Sequence, residues 1–189
     1  MKNTAVLVVD LLKDFTQPTG NIYYETTGEM MPRVIDFIQQ MRKRGAMIVY
    51  IQQIVSKEDA AKVPQDLKFR MCCVEGSGGE EFDPRLPIEK DDIIVQKRKA
   101  SGFFRTNLED ILREHHIENV VVIGTKTNCC VRATATDSAM RDFRTFIISD
   151  CVSTNTAELN RFHCEDINKY TAKAMTAASF IRCVDLNQI

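Results

Sequence analysis

An acid, an amine and a thiol each follow an apolar run in this sequence of 189 residues. Asp10 follows AVLVV, Lys97 follows IIVQ, and Cys130 comes a few residues after VVVIG. A nearby cation favours the thiolate that attacks a carbonyl group, and a carboxylate can take the thiol proton and return it to a leaving nitrogen. The three types predict acyl transfer to Cys130 and then hydrolysis. Taken singly, each has a simpler interpretation: a strand-end cap for Asp10, a solvated charge for Lys97, and a core residue for Cys130.

The nucleophile candidate is one of two adjacent cysteines in the stretch GTKTNCCV. Cys130 falls where a helix is predicted to begin, and unpaired backbone N–H groups at a helix start favour negative charge. The tight loop before it, residues 124–130, supplies N–H groups for a developing oxyanion. Cys129 has no such assignment, and we predict a small packing residue.

The cysteine count argues against a disulfide framework and against a zinc site. The number is odd, the spacing Cys-x-x-Cys never occurs, and the chain has three histidines. We therefore predict buried thiols for most of them, with no metal and no cofactor. The cysteines are Cys72, Cys73, Cys129, Cys130, Cys151, Cys164 and Cys183.

Short apolar runs alternate with segments of helical spacing, which is typical of βαβ units around a parallel sheet. The runs are continuous rather than alternating, as in strands that are covered on both faces. The predicted fold is a three-layer αβα, Rossmann-type, doubly wound and mostly parallel six-stranded sheet. The predicted strands are residues 5–9, 47–51, 93–95, 120–123, 145–148 and 180–184.

Helices are predicted between these strands. An apolar stripe from Val34 to Met41 ends at Gly45, and further helices are expected at 105–116, 128–142 and 156–175. Residues 55–92 carry three prolines and three glycines with little periodicity. We interpret them as a long excursion, of the kind that forms lids or oligomer contacts, within a single domain of residues 1–189.

The bulk composition excludes several partner classes. The formal net charge is −1, from 25 basic and 26 acidic residues, so no basic surface for nucleic acid is indicated. No apolar stretch reaches the length of a membrane helix, and the start lacks the features of a secretory signal. We expect a cytoplasmic protein that acts on a small molecule.

Three stretches resemble the isochorismatase-like cysteine hydrolases over nearly the whole chain. VLVVDLLKDF is similar to the family's strand-Asp-x-x-x-Asp-Phe start, and VQKRKASGFFRTNLEDIL to its Lys-x-x-x-Ser-x-Phe-x-x-Thr-x-Leu segment. GTKTNCCV resembles its Gly-x-x-Thr-x-x-Cys-Val signature. The resemblance implies the family's α/β fold and an Asp–Lys–Cys triad of Asp10, Lys97 and Cys130.

The resemblance also implies a non-proline cis peptide between Thr125 and Lys126. The backbone N–H groups of Lys126 and Cys130 would then form the oxyanion hole. Family members are commonly oligomers, so a homo-oligomer (dimer or tetramer) is expected. The direction of the Lys126 side chain stays open.

The substrate class follows from what the matching motifs contain. A cysteine at the nucleophile position points to C–N hydrolysis rather than vinyl ether hydrolysis. Nicotinamidases carry an Asp-x-His metal motif after the second strand, where this chain reads YIQQIVSKED. The resemblance is therefore nearest to the N-carbamoylsarcosine amidase and ureidoacrylate amidohydrolase branches, which implies a linear amide or N-carbamoyl substrate. A nicotinamidase-type amidase is the first alternative; the others are a thiol-redox protein that uses a cysteine doublet and a non-catalytic scaffold on the same fold.

The predicted substrate-binding residues are Phe15, Phe103, Arg98 and Thr125. The phenylalanines would form an apolar wall, whereas Phe104 is predicted to lie in the core. Four basic residues flank the motifs, and any one of them is a candidate partner for a substrate carboxylate. For each, a solvated surface charge is the simpler interpretation. They are Arg98, Lys99, Arg105 and Lys126.

Overall fold

The computed structural model describes residues 1, 3–64 and 71–189. Within these residues, six strands alternate with seven helices, and a π-helical turn at Thr127–Val131 precedes the fifth helix. The elements in chain order are β1 Thr4–Val9, α1 Lys13–Thr16, α2 Glu25–Lys43, β2 Met47–Gln53, α3 Lys57–Ala61, β3 Ile93–Lys97, α4 Leu108–Glu114, β4 Asn119–Thr125, α5 Arg132–Ala139, β5 Arg144–Ser153, α6 Ala157–Tyr170, β6 Lys173–Met175 and α7 Ala177–Asp185.

The strands form one sheet in the order β3-β2-β1-β4-β5-β6. Every pairing between named strands is parallel, so the predicted doubly wound sheet is confirmed and is wholly parallel across the described strands. The chain order reverses between β1 and β4, which are neighbours in the sheet. In such a sheet the crevice beyond the carboxyl ends of these two strands is where ligands bind.

Apolar side chains of β1 alternate between the two faces of the sheet, because successive side chains of a strand point to opposite faces. Leu7 and Val9 lie in a cluster with residues of α4, α5 and α6. Val6 and Val8 lie in a second cluster with residues of α2 and α7. Both faces are therefore covered by helices, which confirms the three-layer arrangement. None of the helices in the described part of the chain is long and apolar enough to cross a membrane.

The predicted sixth strand at 180–184 is wrong. Those residues belong to α7, and the strand at this edge of the sheet is β6, Lys173–Met175. Phe180 and Val184 are four apart and both are buried, which is helical spacing. The helix predicted at 156–175 ends at Tyr170. The prediction ran on into β6 because a strand of three residues is too short to show a pattern of its own.

The excursion packs against the segment that follows β1. Residues 65–70 of the excursion lie outside the described residues, and the short helix α3 lies near its start. The backbone N–H of Lys13 donates to Glu81, and the N–H of Asp83 donates to the carbonyl of Leu11, at 2.8 and 3.0 Å. These contacts place the end of the excursion beside the first loop of the predicted site.

Candidate active site

Two of the predicted reactive residues lie at the switch point of the sheet. Asp10 directly follows β1, with a backbone φ of 51° that ends the extended strand. Cys130 lies in the π-helical turn that follows β4, separated from that strand by Lys126. Because β1 and β4 are paired in parallel register, Val9 opposite Gly124, both residues emerge at the same edge.

Lys97 reaches these two residues from a strand that is not their neighbour. β2 lies between β1 and β3, so the side chains of Lys97 and Asp10 must together bridge two strand spacings, roughly 10 Å. Its Nζ atom is 2.8 Å from Asp10 Oδ2 and 3.5 Å from Cys130 Sγ. The side chains of Asp10 and Lys97 are both fully buried. The structure thus brings the three predicted residues together, and the long lysine side chain explains how.

Gln53 completes this arrangement, and the sequence analysis missed it. It ends β2 and is paired in register with Lys97. Its Oε1 accepts a hydrogen bond from Lys97 Nζ at 2.7 Å, and its backbone N–H donates to Asp10 Oδ1 at 2.9 Å. The signal was available, because Gln53 is the polar residue at the end of the second apolar run. It occupies the stretch in which nicotinamidases would carry their metal motif.

The electrostatics of the buried lysine are set by its two partners. Burial by itself lowers the pKa of Lys97, but the charges of Asp10 and Cys130 outweigh burial and raise the pKa above the usual range for lysine. Lys97 is therefore an ammonium group. Asp10 Oδ2 lies within ion-pair distance of it, but no hydrogen bond of good geometry reaches that oxygen from the described residues. A lone pair on Oδ2 is thus available for a proton.

The two adjacent thiols share a hydrogen bond. Cys130 Sγ donates to Cys129 Sγ at 4.0 Å. This bond, together with the charges of Lys97 and Lys126, lowers the pKa of Cys129 to about 6, against the opposing effects of burial and of Asp10. The same bond, together with burial, raises the pKa of Cys130, while Lys97 opposes that rise. The Lys97 ammonium lies beside the Cys130 sulfur, at 3.5 Å. The predicted packing role of Cys129 is wrong, since its side chain is exposed.

The backbone before the nucleophile has the conformation that the family resemblance implies. The peptide bond between Thr125 and Lys126 is cis. The carbonyl of Lys126 accepts from the N–H groups of Cys129 and Val131, at 3.0 and 3.1 Å. This carbonyl therefore fixes the first turn of the π-helix, in which Cys130 lies.

The predicted substrate-binding residues have mixed positions. Phe15 is buried in a small cluster that includes Tyr24. The hydroxyl of Thr125 bonds to the hydroxyl of Tyr24 and to the carbonyl of Ser153. Arg98 is exposed. None of these placements shows a substrate contact, and the assignments stay predictions.

The two adjacent phenylalanines have different surroundings. Phe103 is buried in the main core cluster, where its ring lies 6.2 Å from that of Phe143 and 5.0 Å from the Arg141 guanidinium. Its role in substrate binding stays a prediction. The predicted core position of Phe104 is wrong, because that side chain is 45% exposed.

Tyr24 is the second residue that the sequence analysis missed. It precedes α2, and no run or motif in the sequence marks it. The side chain is buried, and its hydroxyl bonds to Thr125 at the end of β4. Burial raises the pKa of Tyr24, and the charges of Cys130 and Asp10 add to this rise. Tyr24 thus lies within electrostatic reach of both reactive residues.

Metal-ligating side chains do not cluster in the described part of the chain. Across residues 1, 3–64 and 71–189, no group of three or more His, Cys, Asp or Glu side chains is arranged to hold a metal ion.

A family model decides what kind of protein carries this site. The model described as the isochorismatase domain matches residues 4–179. The chain belongs to the isochorismatase family. Members of the isochorismatase family are hydrolases, and amidases are among them.

Individual relatives agree with this assignment. The structure of a cysteine hydrolase from Pseudomonas syringae pv. phaseolicola 1448A is similar, with a TM-score of 0.87, 26% identity, and coverage of 97% of this chain and 93% of that chain. The ureidoacrylate amidohydrolase RutB of Acinetobacter baylyi is 24% identical over 212 residues, which cover 99% of this chain and 86% of the relative. The N-carbamoylsarcosine amidase of Arthrobacter sp is 22% identical over 187 residues, with coverage of 96% and 71%. The predicted resemblance is thereby confirmed.

Proposed function

We propose that this isochorismatase-family protein is a cysteine-dependent amidohydrolase, which cleaves the C–N bond of a small linear amide or N-carbamoyl compound. One observation carries the proposal: the Lys97 ammonium lies 2.8 Å from Asp10 Oδ2 and 3.5 Å from Cys130 Sγ at the switch point of the sheet. A thiol, a carboxylate and a buried cation within one another's reach are what acyl transfer through a thioester requires. The similar proteins named above support a small amide or ureido substrate.

In the proposed first step, Cys130 Sγ attacks the substrate carbonyl carbon while its proton passes to Asp10 Oδ2. The ammonium of Lys97 stabilises the thiolate as it forms, because it is already charged and buried beside the sulfur. The carbonyl oxygen becomes an oxyanion, for which the backbone N–H groups of Lys126 and Cys130 are the proposed donors.

In the second step the C–N bond breaks and the leaving nitrogen takes the proton from Asp10, so that ammonia departs and a thioester remains on Cys130. Water then attacks the thioester and gives its proton to Asp10. The C–S bond breaks, the thiol recovers its proton, and the acid product leaves. A substrate of the N-carbamoyl class passes through the corresponding thiocarbamate.

The test compares the two adjacent cysteines. We expect Cys130→Ala and Cys130→Ser to abolish ammonia release from a panel of N-carbamoyl amino acids, ureidoacrylate, simple amides and nicotinamide. Cys129→Ala is the matched control, which removes the neighbouring thiol and leaves the proposed nucleophile, and we expect it to retain activity. Hydrolysis that survives Cys130→Ala would refute the proposal. Turnover of nicotinamide in preference to linear amides would favour the nicotinamidase-type alternative.

A further inference from the structure

Lys126 lies four residues before the nucleophile, and its backbone is held by hydrogen bonds at the start of the turn that contains Cys130. It immediately precedes the π-helical turn, and its carbonyl is held by the N–H groups of Cys129 and Val131. The side chain is partly exposed rather than fully solvated. Its direction, which the sequence left open, is therefore a property of the folded site.

The ammonium of Lys126 lies over the ring of Tyr24, 5.4 Å from the ring centroid to Nζ. The ring is itself fixed, because Tyr24 is buried and its hydroxyl bonds to Thr125. The aromatic ring stabilises the cation that lies over its face. An ammonium group has three N–H donors, and those that do not face the ring are available to a ligand.

Among the described residues, no carboxylate forms an ion pair with this charge. In the described part of the chain, ion pairs are formed by Lys13, Lys62 and Lys97, and none is formed by Lys126. The Lys97 ammonium forms an ion pair with Asp10 and contacts the nucleophile. The Lys126 ammonium instead contacts the ring of Tyr24. A cation held in this way beside a reactive centre is suited to an anionic ligand.

The same ammonium acts on the thiol beside the nucleophile. It is one of the charges that lower the pKa of the Cys129 thiol, after the hydrogen bond from Cys130 and the charge of Lys97. Tyr24, the ring beneath it, is influenced by the charges of Cys130 and Asp10. The cation and its ring therefore lie on the side of the site where the two adjacent cysteines are.

The other basic candidates are placed less favourably. Arg98 and Lys99 are exposed, and Lys99 contacts the site through its backbone carbonyl, which accepts a hydrogen bond from Lys97. The guanidinium of Arg105 lies over the exposed ring of Phe104, 5.2 Å from its centroid.

We infer that the Lys126 ammonium binds a carboxylate of the substrate, so that the preferred substrates are acyclic amides or ureido compounds with a carboxylate a few bonds from the scissile C–N bond. The inference rests on the proposed function, because it assigns a substrate class to that site. Lys126 is thus a specificity-determining residue: its side chain selects the substrate, and its backbone N–H serves the oxyanion.

The kinetic test uses matched substrate pairs. N-carbamoylglycine is compared with propylurea, and succinamate with butyramide, so that each pair differs by one carboxylate. We expect Lys126→Met to lower the ratio of kcat/KM for the anionic over the neutral member on the order of tenfold, mainly through KM. Lys126→Arg, which keeps the charge, should restore most of the ratio. Any effect of the substitution on the steps that both substrates share cancels in the ratio.

Two outcomes would overturn the inference. A Lys126→Met variant that slows both members of a pair alike would show a role in the thiols or the loop rather than in substrate choice. A ratio that collapses in Arg98→Met and persists in Lys126→Met would assign the carboxylate to Arg98.

A binding measurement separates this inference from the proposed function. In the Cys130→Ala background, calorimetry would measure the affinity for N-carbamoylglycine and succinamate with and without Lys126→Met. We expect the lysine variant to bind these anions on the order of tenfold more weakly. Equal affinities would refute the inference even if the enzyme is an amidohydrolase. A clear loss of affinity would support anion binding even if no ammonia is released by the unsubstituted protein.

Discussion

The buried ion pair between Asp10 and Lys97 is a costly way to stabilise a protein. Both side chains are fully removed from solvent, and desolvation of two charges offsets most of what their attraction contributes. A role of the two charged groups in catalysis explains this burial more readily than a contribution to the stability of the fold does. Stability and activity should therefore respond differently when the pair is removed in steps.

Removing one partner should damage both properties. Asp10→Leu leaves the Lys97 ammonium buried without its acid, and we expect the free energy of unfolding in urea to fall by about 3–5 kcal/mol, with loss of ammonia release. The double variant Asp10→Leu/Lys97→Met replaces the pair with apolar groups. It should recover most of the stability and none of the activity. A double variant as unstable as the single one would show that the pair is held for stability.

The residue scale also shows what the sequence could and could not reveal. Asp10, Lys97 and Cys130 were predictable because each follows an apolar run, and parallel strands bring their carboxyl ends to one edge. Tyr24 was not, because it reaches the site through the tertiary packing of the segment before α2 and has no local pattern. The predicted core position of Phe104 failed for a similar reason, because sequence position does not tell which of two adjacent side chains faces the core.

At the scale of elements, the close approach of β1 and β4 depends on Gly124. Its φ is +114°, and a Cβ atom there would lie 2.1 Å from the carbonyl oxygen of Val9. That oxygen belongs to the neighbouring strand and cannot move without disturbing the sheet. Gly45, by contrast, has a φ of +80° with no atom within 4 Å of such a Cβ. The two glycines share a conformation and differ in their surroundings.

This pair makes a controlled comparison of backbone strain with steric contact. Gly45→Ala should lower the free energy of unfolding by about 1 kcal/mol, since it costs only the left-handed conformation. Gly124→Ala should lower it by clearly more and reduce activity, because the strand next to Asp10 must shift. Urea denaturation of both variants measures the difference. Equal losses would mean that the sheet tolerates the added methyl group.

A second contact between elements joins α5 to α6 and responds to pH. Arg132 donates to Asp166 at 2.6 Å and to His163 Nδ1 at 2.9 Å. Because arginine can only donate, His163 must be neutral to accept. Burial, followed by the charge of Arg132, lowers the pKa of His163 below its ordinary value of 6.5, against the effect of Asp166.

The sign of the resulting pH dependence is fixed by linkage. The unfolded chain binds a proton at His163 more readily than the folded protein does, so the free energy of unfolding should fall as the pH drops below about 6.5. His163→Gln keeps an acceptor and does not titrate. We expect its loss of stability between about pH 7.5 and about pH 5.5 to be smaller than that of the unsubstituted protein. Identical losses would exclude His163 as a contributor.

Element boundaries followed the strength of their patterns. The five strands with continuous apolar runs were predicted close to where they lie, since burial on both faces leaves a strong signal. β6 has three residues at the sheet edge and no such signal, and the apolar residues of α7 were mistaken for a strand. The order of the strands in the sheet was not predicted, because the periodicity of apolar residues does not tell which strands are neighbours.

At the scale of the whole molecule, one buried carboxylate anchors the excursion to the first loop. Asp14 Oδ1 accepts from the N–H of Asn21 at 3.1 Å, and Oδ2 accepts from the N–H of Cys73 at 2.6 Å. A Cβ atom on Gly79 would lie 2.3 Å from this carboxylate, so the excursion passes directly over it. The division into a single domain and the predicted homo-oligomer stay predictions.

Loss of this anchor should loosen the excursion selectively. Asp14→Ala leaves the N–H groups of Asn21 and Cys73 without their acceptor. We expect proteases to cleave faster within residues 55–92. Mass spectrometry of the fragments would locate the cleavage sites and measure their rates. Asp36→Ala removes an exposed acid from α2 and serves as the control. Cleavage at the same rate in both variants would mean that other contacts hold the excursion in place.

The thiol hydrogen bond described above has a practical consequence for covalent probes. An electrophile that approaches from solvent meets Cys129 first, because Cys129 is exposed and its sulfur lies 4.0 Å from that of Cys130. An adduct on Cys129 would crowd the neighbouring sulfur without a bond to the proposed nucleophile, and both adducts have the same peptide mass. Inactivation by a thiol reagent therefore identifies neither residue until fragment ions separate the two positions, or until the reagent is applied to Cys129→Ala.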